Sequence, residues 1–446
     1  MVKQISGEVV ISMEILTLGE KIKSKRKEMN MTLKELAGDR ITPGQISLVE
    51  SGKSNPSIDL LEYIAERLNT DIDYFLESEE KQATRISEFY INIAESAIRD
   101  ENMLRAQEAI EKGIHYAQKY NLVYYKGRFD FAMADMKFSN EKYEEAQQYC
   151  ISANSIFLKT ESIDDIVKSF ILLGTITLHM GYIPTALNYF IQGDSILNEY
   201  NVMDEILKAR LYYNISICYS RMENISQAID YALLVKDRLK LLNNKREYAE
   251  TLMILSIAYS QENKIKEALR YAKEARKVFG EIDDIKEIAN METNLGVIFA
   301  KGHNIEESFL HFNEALKLKN EIKDSTIPDT LLKICENYIN INEVDNAIAI
   351  LQDVLSRIED DQYEYRIKCF EYMYKIYYKK GEKSNAEHSL LDAVKYLEAL
   401  DFKKELADFH VLLGKFYMDI GENELALNYM NKGLEIYKEQ GIILKE

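Results

Sequence analysis

Gly52-Lys53-Ser54 ends like a phosphate-binding loop, in which backbone amides and a lysine hold nucleotide phosphates. The glycine that such a loop requires five residues earlier is Ser47, and no strand pattern precedes it, so the match fails. The six histidines offer no HxxxH pair, His303 and His311 being eight apart. Cys150, Cys218, Cys335 and Cys369 lie far apart with no CxxC, which speaks against a metal site. No Ser/His/Asp or Cys/His set stands in motif form. Neither catalysis nor a cofactor is therefore expected. What remains is charge and amide chemistry. The chain carries 56 basic and 74 acidic residues, a net charge of −18. Between Leu18 and Lys53, however, 8 basic minus 5 acidic residues leave +3. A local basic face beside helix N-termini is what phosphate groups require.

The elements that position these groups follow from composition and spacing. The 446 residues would ordinarily make about three domains unless a repeat lengthens one of them. Only 4 prolines, no tryptophan and 30 tyrosines favour long helices with interlocking aromatics. Nowhere do about 18 apolar residues run together, and no basic-then-apolar segment opens the chain, so neither a membrane span nor export is expected. Dispersed cysteines fit a reduced, cytoplasmic protein.

Three zones differ in texture. Residues 1–17 read as an N-terminal arm with a β-leaning run at Val9 to Ile11, and Met13 is a second candidate start. Residues 18–76 read as five short helices. Thr32 opens TLKE and Thr42 opens TPGQ, both with capping-box spacing, and Pro43 suits a first helical turn. Ile46 and Val49 give that third helix a buried side, and Ser57 caps a fourth. Residues 77–85 are a charged connector. Residues 86–446 then carry about nine repeats. Small residues recur twelve apart, as in Gly174/Ala186, Ser216/Ala228, Ser256/Ala268, Gly296/Ser308, Cys335/Ala347 and Gly414/Ala426. First members advance by about 40. Each pair lets two helices of a hairpin cross closely, and an aromatic three residues on (Tyr219, Tyr259, Phe299, Tyr338, Tyr377, Tyr417) is expected to fill the gap to the next hairpin. Tyr374 breaks the small-residue rule. The inward face of each first helix falls six and two residues before the small residue, and one and five after it.

These repeats resemble tetratricopeptide repeats, with LLGTITLHMGYIPTALNYF, ISICYSRMENISQAIDYA and LLGKFYMDIGENELALNYM matching best. The resemblance implies an all-α chain, a five-helix domain followed by a right-handed superhelix. LGEKIKSKRKEMNMTLKELA, ITPGQISLVESGKSNPS and LLEYIAERL together resemble the helix-turn-helix of the lambda-repressor and Cro type. By that resemblance the recognition helix begins after Thr42 and Pro43, with Gln45, Ser47 and Leu48 facing base edges. Gln can pair with adenine and Leu can touch a thymine methyl. Thr32, Lys34, Lys53 and Asn55 fall where the family contacts phosphates. Leu33 and Leu48 depart from its pattern, standing where polar residues are common.

The combination, with YYNISICYS at Tyr212–Ser220, resembles the peptide-pheromone receptors of Gram-positive bacteria, the Rgg, Rap, NprR, PlcR and PrgX group. It implies a transcription regulator that binds a double-stranded operator as a homodimer and senses a short signalling peptide. Asn214 and Asn294, equivalent in the repeat frame, would grip peptide backbone, since an amide offers both donor and acceptor. Arg210 would meet a terminal carboxylate, and Tyr213 and Met253 would line side-chain pockets. The Asn pair could instead tie hairpins together. The alternative function is a DNA-binding scaffold whose repeats hold a protein such as a response regulator.

Overall fold

The computed structural model describes residues 3–5 and 8–10 as backbone, and residues 14–359, 362–400 and 402–440 with side chains. The fold is all-α, apart from a short antiparallel ribbon of Lys3–Ile5 (β1) and Glu8–Val10 (β2), with Lys3 opposite Val10. Ile11 and Met13, singled out in the sequence, lie outside the described residues. By packing, the chain forms two compact units, Met1–Glu223 and Asn224–Glu446.

The first unit begins with five helices, α1 (Leu18–Glu28), α2 (Leu33–Ala37), α3 (Pro43–Glu50), α4 (Ile58–Arg67) and α5 (Ile72–Leu76). Their starts are set locally. Thr17, Thr32 and Thr42 each accept from the third helical amide, while Glu20, Glu35 and Gln45 reach back to the cap. Ile22, Leu36, Ile46, Val49, Leu61, Ile64 and Phe75 form the core. Gly19 lets α1 close on the end of α3, since a Cβ there would stand 2.5 Å from Val49 O.

Two boundaries drawn from the sequence shift. Residues 14–17 join the folded body, with Ile15 packed against the first repeat's core and Thr17 capping α1. Leu16 exchanges two hydrogen bonds with the Gln82 side chain, at 3.1 and 3.0 Å. The charged connector is mostly helix. Ser78 caps α6 (Glu79–Arg99), and burial of Gln82, Ala83 and Ile86 makes its first two turns part of the repeat packing.

The first unit continues with α7 (Met103–Lys119), α8 (Val123–Ser139), α9 (Tyr143–Lys159), α10 (Ile163–His179), α11 (Ile183–Glu199) and α12 (Glu205–Arg221). The second holds α13 (Ile225–Leu241), α14 (Lys245–Gln261), α15 (Ile265–Glu281), α16 (Ile285–Lys301), α17 (Ile305–Glu321), α18 (Ile327–Asn340), α19 (Val344–Arg357), α20 (Tyr363–Lys380), α21 (Lys383–Leu400), α22 (Lys403–Ile420) and α23 (Asn423–Glu439). Many of the turns use one left-handed residue, for example Glu141 (φ 59°), Asn263 (φ 59°) and His303 (φ 59°). Gly181, Gly381 and Gly421 fill that position where a side chain would be strained.

The small residues do bring helices together. A Cβ on Gly174 or Gly296 would stand 2.5 Å from the ring of Phe190 or Phe312, and Ser308 Oγ donates to Gly296 O at 2.7 Å. Three of the repeated aromatics also pack within their own hairpins. Tyr259, Phe299 and Tyr417 stack on Tyr271, His311 and Tyr429 of their own hairpins, with interplanar angles of 6°, 9° and 16°. Tyr338 reaches the preceding hairpin at Phe309, and the Tyr417 hydroxyl does so by donating to Glu387 of α21 at 2.5 Å. Tyr374, too large for its position, leans edge-on against Phe416 of α22 and is 7% exposed.

Candidate nucleic-acid interface and ligand groove

Thr32, Lys34, Thr42, Pro43, Gln45, Ser47, Leu48, Lys53 and Asn55 are all exposed, on α2, α3 and the turn after α3. Ile46 and Val49 are buried on the opposite side of α3. Leu48, an apolar side chain 47% exposed, has no core role. Gln45 is committed to the cap, however. Its Oε1 accepts from Thr42 N at 2.9 Å and from Thr42 Oγ1 at 3.2 Å. A bidentate pair with adenine needs that oxygen as well as the amide nitrogen. Base reading by Gln45 therefore requires it to leave the cap.

The basic surplus around α1 is smaller at the surface than in the sequence. Lys21 is 1% exposed and donates to Tyr74 O at 2.7 Å and Glu77 O at 2.8 Å. Arg26 binds Glu50 through two hydrogen bonds, at 2.5 and 2.9 Å, and donates to Met31 O. Lys25 pairs with Glu28 at 2.8 Å. Lys23, Lys27, Lys34, Arg40 and Lys53 are exposed and form no ion pair among the described residues. The lost charges hold the domain together. The Arg26–Glu50 pair spans 24 residues and the Lys21 contacts to Tyr74 and Glu77 span 53 and 56, beyond any local pattern.

Arg210, Tyr213 and Asn214 lie on α12 of the first unit, and Met253 and Asn294 lie on α14 and α16 of the second. Asn214 Nδ2 donates to Arg210 O at 2.8 Å within its own helix. Arg210 is exposed, and its charge acts on Asp135, whose carboxyl is pushed up by burial and by Glu95 and drawn down by Arg210. Met253 and Asn294 come together. They line a cavity of about 410 Å³ with Ile257, Asn290, Thr293, Val297, Lys319, Thr326, Asp329, Lys333 and Tyr365. An adjoining cavity of about 480 Å³ shares Val297 and Lys333 and adds Lys301, Glu336, Asn337 and Asn340. The frame holds here. Asn290, Asn294, Val297 and Lys301 are the four inward positions around Gly296, and Asp329, Lys333, Glu336 and Asn340 are the four around Cys335. Met253 lies off it, three residues before Ser256.

Asn294 Nδ2 donates to Ser256 Oγ at 2.7 Å, and its Oδ1 accepts no hydrogen bond among the described residues. The groove thus offers amides, hydroxyls and apolar walls at once, within the usual size range for ligand pockets. The sequence frame finds Asn290, Asp329 and Lys333. It misses Lys319, which enters from a second helix. Other polar clusters are internal. Glu292, 2% exposed, binds Arg276 and, at 2.6 Å, His311. All four cysteines are free and buried, and burial pushes their thiols up. No metal-holding cluster occurs among the described residues, and none of their helices is long and apolar enough to cross a membrane.

Residues 22–75 match a helix-turn-helix family model, and residues 407–440 match a tetratricopeptide-repeat model. No curated protein matches the chain in sequence. Among solved structures, the apo form of the quorum sensor NprR from B. thuringiensis is similar, with TM-score 0.58 and 14% identity over 80% of this chain and 99% of that one. Apo RapI follows with TM-score 0.54 and 15% identity over 80% and 99%. NprR in complex with its cognate peptide NprX has TM-score 0.51 and 13% identity over 79% and 98%. At these identities the likeness speaks for the fold. The chain is a helix-turn-helix domain followed by a tetratricopeptide-type helical array, with the fold of the NprR and Rap structures.

Proposed function

We propose that this protein is a DNA-binding transcription regulator whose repeats take a short signalling peptide, as in quorum sensing. The observation that carries the reading is the groove in the second unit, where inward residues of consecutive first helices line adjoining cavities. An extended peptide brings unpaired N–H and C=O groups, which are costly to bury unless the wall pairs them. Asn290, Thr293, Asn294 and Thr326 supply such partners, and Met253, Ile257 and Tyr365 supply apolar contact. One solved structure of similar fold, NprR, holds its cognate peptide.

On the DNA side, α3 enters the major groove, and Ser47, Leu48 and a released Gln45 face the bases. Thr32, Lys34, Lys53 and Asn55 hold phosphates. One small head with few polar readers is weak alone, so a homodimer on two half-sites completes the site. The test is binding of the purified chain to a random DNA pool, with and without the low-molecular-weight fraction of the producing strain's spent medium. A selected operator whose affinity changes with that fraction supports the reading. Retention of a response regulator from lysate, with no effect of the fraction, replaces it with the scaffold reading.

A further inference from the structure

Lys319, on α17, is 2% exposed and lines the same cavity as Asn290 and Asn294, yet it forms no ion pair among the described residues. Its ammonium donates to Thr330 Oγ1 at 3.1 Å. Thr330 Oγ1 lies 3.2 Å from Thr293 Oγ1, which donates to Ala289 O at 3.1 Å. Each hydroxyl has a single proton, so the donor order runs one way, from Lys319 through both threonines to the backbone. That chain uses one N–H of three.

The other fully buried lysine shows what satisfaction looks like. Lys21 donates to two carbonyl oxygens and stands 3.5 Å from the Glu77 carboxylate. Lys319 has no such set. Asp324, Asp329 and Glu287 act on its charge from a distance, while burial pushes its pKa down. Lys333, half-buried at the same cavity, pairs among the described residues only with Glu336, at 3.8 Å. A buried ammonium with spare donors at the wall of a ligand cavity, and no carboxylate within ion-pair distance among the described residues, can take a further anion directly.

We propose that Lys319, with Lys333 beside it, receives a carboxylate of the bound peptide, an inference that rests on the peptide reading above. The carboxylate is either the free C-terminus or an Asp or Glu side chain. This assigns to the second unit a role that sequence alone gave to Arg210, whose charge already acts on Asp135.

The test uses the full chain and three pools of random short peptides, with retained peptide measured by mass spectrometry. One pool lacks Asp and Glu and has free C-termini. The second lacks both and is amidated, and the third contains both and is amidated. The neutral amidated pool should be retained about tenfold less than one of the others, and that other pool names the source of the carboxylate. Lys319→Met should erase the preference, while Arg210→Met should leave it. Should Lys319→Met fail to fold, the three pools on the unsubstituted chain and on Arg210→Met still decide. Equal retention of all pools, or a preference lost with Arg210→Met and kept with Lys319→Met, overturns the proposal alone. Retention of no pool overturns the peptide reading and this proposal with it.

Discussion

Asn294 Nδ2 donates to Ser256 Oγ at 2.7 Å, joining α16 to α14 across 38 residues of sequence. Ser256 Oγ itself donates to Met253 O at 2.8 Å, so the contact reaches the cavity wall at two of its lining residues. The bond gives Asn294 a structural use while its carbonyl oxygen stays available to a ligand. Asn294→Ala should therefore cost about 1 kcal/mol of stability and weaken peptide binding about tenfold. Ser256→Ala should cost a similar stability and leave peptide affinity nearly unchanged. Denaturant melts together with titration calorimetry separate the two effects.

In the proposed DNA-reading head, Gln45 caps α3 and would also read a base, and one substitution separates the two uses. Gln45→Glu keeps a carboxyl oxygen for the Thr42 cap but removes the amide donor. It should preserve the melting temperature and lose preference at one base, by about 1–3 kcal/mol. Gln45→Ala should lose both that preference and about 1 kcal/mol of stability. Lys53→Ala should weaken binding on all sequences and lower the salt slope by about one. Fluorescence anisotropy over a salt series reads all three.

Arg26 and Glu50 form a two-bond ion pair whose side chains are 12% and 6% exposed, so removing one partner strands the other. Glu50→Ala should destabilise the head by about 3 kcal/mol. Circular dichroism and limited proteolysis of the full chain would show the head opening first. A change within about 0.5 kcal/mol would mean the guanidinium finds another partner.

His410 is 4% exposed, its Nδ1 has no hydrogen-bond partner among the described residues, and it stacks on Tyr429. Burial first, then Lys432, pushes its pKa below the ordinary value, while Glu398 opposes. The folded state therefore binds fewer protons than the unfolded state between the lowered pKa and the unfolded value of about 6.5. Stability is present above about pH 6.5 and falls as the pH drops through that window. Burial gives His179 the same sign. Melting temperatures measured downward from about pH 7.5 should fall, and His410→Phe should flatten part of that slope.

What was legible in the sequence was local or periodic. The caps at Thr32 and Thr42 depend on residues three apart, and the small pairs on residues twelve apart. The inward frame around Gly296 and Cys335 follows from helical periodicity alone. The pairings that cross the chain were hidden. Arg26 with Glu50, Lys21 with the carbonyls of Tyr74 and Glu77, and Leu16 with Gln82 each join residues that no spacing rule connects. Counting +3 around α1 therefore overstated the charge left for DNA. Lys319 was hidden for a different reason. The frame looks only at first helices, whereas a long lysine on a second helix can reach the cavity from behind.

The central claim is that one chain couples a DNA-reading head to a peptide site in its repeats. The direct measurement is the affinity of the full chain for its selected operator, with and without the peptide it retains from spent medium, repeated with Asn294→Ala. A shift of about tenfold or more on adding the peptide, moved by Asn294→Ala to about tenfold higher peptide concentration while peptide-free operator affinity is unchanged, is the predicted result. Operator affinity identical with and without a bound peptide would contradict it.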